Sequence, residues 1–172
     1  MKQALCDRSH SAQILDILNE AIANSTALWD YQPRTRASMN QWFDAKEARN
    51  FPVLGFFDEA ERLLAFGTYG TFRAFPAYKY TAEHSLYVER SARRQGLGTK
   101  MLEQIILHAQ GQGYRTLVGG IATENWISIA THVKCGFEHS GTIRQAGYKF
   151  GRWIDLSFYQ RLLSGPARPT ED

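Results

Sequence analysis

HSLYVERSARRQGLGTKMLEQIILHA, residues 84–109, reads as a strand, a tight glycine turn and a helix that begins inside the turn. The strand is Ser85-Leu86-Tyr87-Val88, and the turn is Arg93-Arg94-Gln95-Gly96-Leu97-Gly98. Beyond it, Leu97, Met101, Leu102, Ile105, Ile106 and Ala109 fall on one face of an amphipathic helix. The first turn of a helix presents unpaired N–H groups and the positive end of its dipole. Glycines there let the backbone close on a ligand that a β-carbon would hold off. The stretch is therefore suited to a phosphate or pyrophosphate.

Residue order excludes two phosphate loops. A P-loop requires Gly-Lys-Ser/Thr at the helix start, whereas the order here is Gly98-Thr99-Lys100. A dinucleotide fingerprint requires G-x-G-x-x-G, and Met101 stands where the third glycine belongs. What remains is Arg93-x-x-Gly96-x-Gly98 after a strand. This resembles the pyrophosphate loop of the GNAT superfamily of acyl-CoA-dependent N-acetyltransferases. Six residues of plain helix-starting turn look the same, so the rest of the chain must carry the distinction.

Length and composition narrow the class. The 172 residues are expected to form one domain over 1–164, followed by a loose tail, 165–172, with two prolines. Apolar residues make up 44% of the chain, enough for a substantial core. The net charge of +3 comes from scattered cations, which suits an anionic small ligand and not nucleic acid or a membrane surface. No apolar run approaches the ~20 residues of a membrane span. The opening MKQALCDRSHSAQ lacks the apolar segment of a signal peptide. Cys6 and Cys135 make no disulfide framework, so a cytoplasmic location is expected.

In order, the chain reads β-α-α-β-β-β-α-β-α-β-β. A strand at 3–6 precedes a helix with Ile14, Leu15, Leu18, Ala21 and Ile22 on one face. Residues 26–31 are aromatic and aperiodic, hence a loop. Thr35 or Ser38 caps a helix carrying Met39, Trp42 and Phe43. Residues 52–57 and 62–69 form a hairpin. An aromatic loop over 70–80 leads into the stretch quoted above. Residues 116–121 form a buried strand of the parallel type, and a short helix follows from Asn125 to about Lys134, closed by Gly136. Residues 137–148 and 153–162 are the last strands.

On that short helix, Asn125, Ser128 and His132 are three and four residues apart and share a face. Trp126, Ile129, Ala130 and Val133 form the neighbouring apolar face. A polar stripe there is either solvated surface or a ligand contact at the carboxyl end of the sheet. N-x-x-S-x-x-x-H-x-x-x-G-F, here Asn125, Ser128, His132, Gly136 and Phe137, resembles the corresponding helix of GNAT enzymes. The resemblance implies an α/β fold with a mixed, mostly antiparallel central sheet, flanked by helices. It also implies a splayed strand pair that holds acetyl-CoA. By resemblance, Leu86, Tyr87 and Val88 face the pantetheine arm. Arg93, Arg94, Gln95, Gly96, Leu97, Gly98 and Thr99 hold the pyrophosphate, and Asn125 and Ser128 meet the cofactor arm.

A narrower resemblance runs over about residues 3–162. Thr26-Ala27-Leu28-Trp29, Phe72-Arg73-Ala74-Phe75, Glu83-His84-Ser85-Leu86-Tyr87-Val88 and Gly147-Tyr148-Lys149-Phe150-Gly151-Arg152-Trp153-Ile154-Asp155 are similar to the phosphinothricin and methionine sulfone/sulfoximine N-acetyltransferases. These acetylate the α-amino group of small amino acids and are typically dimers, so a homodimer is expected. The first and second of these segments depart from the usual residues, which leaves the exact substrate open.

The chemistry requires named parts. An ammonium group has a pKa near ~10, so a base must free the amine before it attacks a thioester. By resemblance, Glu83 is that base. His132 stands where relatives place a general acid, and acts as acid or second base. His84 points to the opposite face of a regular strand from Glu83 and ranks below it. A backbone N–H of the splayed strand, such as that of Val88, suits the tetrahedral oxyanion. Arg73 matches the substrate loop and can grip a carboxylate bidentately, with Lys79 a second cation and Phe72 and Tyr80 as walls. Trp29 reads better as packing, and Cys135 as a small buried residue rather than an acetyl carrier. Asp44, Glu47 and the other carboxylates lack metal-ligand spacing, so no metal is expected.

The resulting expectation is an acetyl-CoA-dependent N-acetyltransferase acting directly on a small amino acid or analogue. Two other readings stand beside it: acetylation of a protein N-terminus or ribosomal protein, and a non-catalytic acyl-CoA-binding module.

Overall fold

The computed structural model describes residues 1–171. Seven strands form one sheet: β1 (Lys2–Leu5), β2 (Val53–Phe57), β3 (Leu63–Thr71), β4 (Thr81–Val88), β5 (Thr116–Ala122), β6 (Glu138–Lys149) and β7 (Arg152–Leu162). Their spatial order is β1-β2-β3-β4-β5-β7-β6, antiparallel everywhere except between β4 and β5. Four helices flank the sheet: α1 (Ser11–Asn24), α2 (Arg36–Glu47), α3 (Leu97–Gly111) and α4 (Trp126–Lys134). Both the element order and the mixed, mostly antiparallel sheet agree with the reading of the sequence.

Alternation along β4 sorts the molecule into two sides. Ala82 and Leu86 join the cluster built on Met101, Leu102, Ile105 and Ile106 of α3. Tyr87 joins the other cluster, with Ile14 and Leu18 of α1 and Met39 and Phe43 of α2. The α3 stripe is the one expected, and all six of its residues are buried. Gly67 of β3 lets α3 lie close, since a Cβ there would stand 2.6 Å from Ile105 Cδ1. Thr35 caps α2 through a reciprocal pair with Ser38.

β4 begins at Thr81, four residues earlier than the apolar run alone indicated. Pairing with both neighbours at that end explains the extension: Thr81 opposes Thr116 of β5, and Thr71 opposes Ala82 in a β3–β4 ladder that runs through to Ala65 opposite Val88. Pairing, not side-chain pattern, sets the strand's start.

Candidate active site

β4 and β5 pair over only three residues, Thr81 with Thr116, Ala82 with Leu117 and Glu83 with Val118. Both strands continue, β4 to Val88 and β5 to Ala122, each held by its outer neighbour. Beyond Glu83 and Val118 they therefore part, and the sheet opens in a V. Leu86, Tyr87 and Val88 line one arm of it. Among the described residues, backbone groups on the inner edges lack a strand partner there; Val88 O accepts from Arg93 Nε, and the others face the opening.

At the wide end, β4 runs into the glycine turn. Gly96 has φ +77°, and a Cβ placed on it would have nothing within 4 Å. Arg94 also adopts a left-handed backbone, with φ +64°. The first helical bond of α3 runs from Lys100 N to Gly96 O, so the N–H groups of Leu97, Gly98 and Thr99 precede the helical ladder. Leu97 is buried by its side chain and offers only its backbone. Arg93 differs from a free loop cation: its Nε donates to Val88 O, and its guanidinium pairs with Glu20 of α1. It braces the turn. Unpaired strand edges, an open anion-binding turn and a glycine without a facing wall fit a pantetheine arm with a pyrophosphate.

Glu83 sits at the fork, on the α1/α2 side of the sheet. A Cβ on Gly120 would stand 3.2 Å from its Oε1, 3.4 Å from Leu156 Cδ1 and 3.7 Å from Phe158 Cε1. Burial raises the Glu83 carboxyl above the ordinary carboxylate range, and the Arg73 cation partly offsets this. Phe72 reaches the same place, 6.5 Å from the ring of Phe158. The Arg73 guanidinium lies over the Phe72 ring at 4.3 Å. Phe72 and Arg73 thus accompany Glu83. The Lys79 ammonium and the Tyr80 hydroxyl both reach Thr170 of the C-terminal segment. That segment ends, at residue 172, outside the described residues. A cavity of about 290 Å³ lies among Arg49, Arg73, Phe75, Lys79 and Tyr114, but Glu83 does not line it. Glu83 lies at the fork, and Arg73 also borders this cavity.

His132 sits on the other side. It is the one buried residue of α4, while Trp126 is 71% and Val133 56% exposed. The expected apolar face of α4 is thus largely turned outward, and the polar stripe turned in, with only Ile129 partly packed on the core. The helix lies over Gly119 and His84, and an imidazole fills that space. Asn125 caps the helix by accepting from Ser128 N at 3.2 Å. The Ser128 carbonyl accepts from His132 Nδ1 at 2.7 Å. His132 Nε2 lies 3.3 Å from His84 Nε2. Burial lowers the pKa of both rings, and Ser128 opposes the shift at His132. Strand alternation does place His84 away from Glu83, but it also brings His84 against His132, which the spacing along the chain did not reveal. Gly119, Gly120, Leu156 and Phe158 were likewise missed; paired glycines at the end of a buried strand were the available signal.

Trp29 packs its ring over Gly147 of β6, as a packing residue does. Cys135 is buried with its thiol pKa raised by burial. Asp44 and Glu47 both pair with Arg8. Among the described residues no group of His, Cys, Asp and Glu has the arrangement of a metal site, and no helix is long and apolar enough to cross a membrane.

A methionine sulfoximine/methionine sulfone acetyltransferase of Pseudomonas paraeruginosa is 42% identical to this chain over 147 residues, 86% of each. An acetyltransferase structure from Acinetobacter baylyi ADP1 matches with TM-score 0.98 at 48% identity, covering 99% of this chain and 97% of that one. A phosphinothricin acetyltransferase of Sinorhizobium meliloti, solved in complex with acetyl-CoA, matches with TM-score 0.93 at 29% identity over 99% and 93%. The acetyltransferase (GNAT) domain family matches residues 7–158, and the chain belongs to that family.

Proposed function

We propose that this GNAT enzyme transfers the acetyl group of acetyl-CoA to the α-amino group of a small amino acid or analogue, of the methionine sulfone, methionine sulfoximine or phosphinothricin type. The observation that carries the reading is the fork itself. Glu83 stands where β4 and β5 part, with the anion-binding turn at the wide end of the same opening. The names of the relatives supply the substrate class.

Acetyl-CoA, when bound, supplies a thioester between the strands. The backbone of Leu86, Tyr87 and Val88 would hold the arm. The turn from Arg93 to Thr99 would hold the pyrophosphate, with Arg93 acting as its brace. Asn125 and Ser128 fix the start of α4 beside the opening. Glu83 takes the proton from the incoming ammonium; a carboxyl raised by burial is better matched to that task than an exposed one. Arg73 draws in the substrate carboxylate, and Phe72, Leu156 and Phe158 form an apolar wall next to Glu83. His132 is the second participant, on the leaving-group side. The buried, raised thiol of Cys135 is a poor nucleophile, which favours direct attack over an acetyl-enzyme.

Thiol release from acetyl-CoA, followed across a panel of amino acids, methionine sulfone, methionine sulfoximine, phosphinothricin and short peptides, tests the reading. Turnover is expected on the small α-amino acids. Faster turnover on peptides would favour N-terminal acetylation, and binding of coenzyme A with no turnover would favour a binding module.

The proposed assembly is a homodimer through the β6–β7 hairpin. β6 is an edge strand, and the hairpin tip exposes Tyr148, Phe150 and Trp153, large apolar side chains that a second copy could cover. A monomer in sedimentation would refute it. Unpaired cysteines suit the proposed cytoplasmic setting.

A further inference from the structure

The buried histidine pair has a proton arrangement that its partners dictate. The Ser128 carbonyl can only accept, so Nδ1 of His132, 2.7 Å away, carries the proton of that ring. The neutral ring then has a bare Nε2. Nε2 of His84 faces it at 3.3 Å and must be the donor. The rings are inclined by only 19° with centroids 5.0 Å apart. The near-parallel rings are offset from one another, and their Nε2 atoms come within hydrogen-bond distance, so one N–H···N bond joins them. His84 Nδ1 is left bare, and it is a buried atom without a partner.

The surroundings keep the pair in this state. Tyr69 is the register partner of His84 on β3, its hydroxyl pKa raised by burial. From β5 comes Gly119, whose Cβ would stand 3.0 Å from both Nε2 atoms. From α4 come Ser128 and His132. Phe137 closes the site, 5.3 and 5.1 Å from the two rings. None of these groups carries charge at neutral pH, while Glu83 is on the opposite face of β4.

We propose that His84 is a positioning residue, whose Nε2–H holds the bare Nε2 of His132 and fixes both tautomers, so that His132 orients the leaving group's surroundings and does not act as its proton donor. The inference rests on the proposed acetyl transfer. In that reaction the C–N bond forms and the C–S bond breaks. Glu83 takes the proton of the ammonium and, after passing it to solvent, the second proton that nitrogen sheds as the amide forms, while the electron pair leaves on sulfur. One ring proton of the pair is committed to Ser128 O and the other to His132. Coenzyme A therefore departs as the thiolate, which a thiol pKa near ~8.5 allows, and takes its proton from solvent.

The test begins with the protein alone. Nitrogen-15 spectra of histidine-labelled apoenzyme at pH 7.5 are expected to give an Nδ1–H tautomer for His132 and an Nε2–H tautomer for His84. His84→Leu is expected to lower kcat by at least about tenfold, with the KM for acetyl-CoA unchanged. His84→Gln, whose amide N–H replaces the ring donor, is expected to restore most of that loss. A proton on His132 Nε2, a doubly protonated ring at pH 7.5, or full activity in His84→Leu would overturn the proposal. The spectra need no substrate. A wild-type protein with the expected tautomers and no turnover on amino acids would sink the substrate reading while supporting this one.

Discussion

Gly120 on β5 lies directly against Glu83 on β4: a Cβ at the glycine would come within 3.2 Å of Glu83 Oε1. Its neighbour Gly119 leaves the matching space on the other face, 3.0 Å from Nε2 of both His84 and His132. Neither needs a left-handed backbone, so both are glycines for room alone. Gly120→Ala should push the carboxylate aside by a few tenths of an ångström and lower kcat/KM for the amine by about tenfold to a hundredfold, because misplacement at a reacting centre is costly. Gly119→Ala should leave the amine KM alone and perturb the histidine signals instead. Steady-state kinetics on the two variants separates the faces; identical kinetic defects would contradict the division.

The Arg73 cation holds down a Glu83 carboxyl that burial raises. A base must be ionised to act, so kcat/KM should climb with pH through a step above the ordinary glutamate value. Arg73→Gln removes the opposing charge, and the step should move to still higher pH. A downward shift would show that Arg73 does not face Glu83. Glu83→Gln should abolish the step and cost about 10²–10⁴ in kcat/KM. Stability follows the same shift with the opposite benefit. A carboxyl raised on folding binds more protons in the folded state, so stability falls as pH rises through the window between the unfolded and folded values. At neutral pH, Glu83→Gln should therefore melt above the wild type.

The Gly147–Asp155 run turns out to clamp the loop between α1 and α2. Lys149 Nζ donates to the carbonyls of Ile22 at 2.7 Å, Ser25 at 3.0 Å and Leu28 at 2.6 Å. Arg152 forms a two-pronged pair with Glu124, which also accepts from Thr26 Oγ1. Lys149 is buried, so Lys149→Met strands three carbonyls and should destabilise by about 3 kcal/mol. Arg152→Ala, at a more exposed pair, should cost under about 1 kcal/mol. Chemical denaturation measures both, and equal losses would mean that Lys149 is not the principal clamp.

Local pattern made much of this legible. The α3 stripe, the opposed faces of Glu83 and His84 and the glycine turn each follow from spacing within one element. What stayed hidden depends on long-range packing. The α4 pattern does not say which face goes inward, and the space above Gly119 selects His132 over Trp126 and Val133. Nothing local to Lys149 announces three carbonyls more than a hundred residues away. Lys79 and Tyr80 share a loop with Phe72, and a short 3-10 turn at Pro76–Tyr78 carries them to Thr170, far along the chain. Arg93 belongs to the loop pattern, but its partner Glu20 lies on α1.

The glycine turn can be tested apart from the chemistry by a matched pair of substitutions. Gly96 and Gly113 both hold a left-handed backbone, at φ +77° and +81°, and a Cβ on either meets nothing within 4 Å. The steric penalty for an L-residue is thus the same kind at both, about 1 kcal/mol. They differ in place: Gly96 opens α3 beside the V, and Gly113 follows the far end of that helix. Gly96→Ala and Gly113→Ala should therefore lose similar stability in denaturation. Only Gly96→Ala should weaken coenzyme A binding, by about tenfold in calorimetry, since the backbone there can no longer close on a pyrophosphate. Equal affinities for the two variants would leave the turn a helix start and no more, and the phosphate contacts would have to lie elsewhere along the opening.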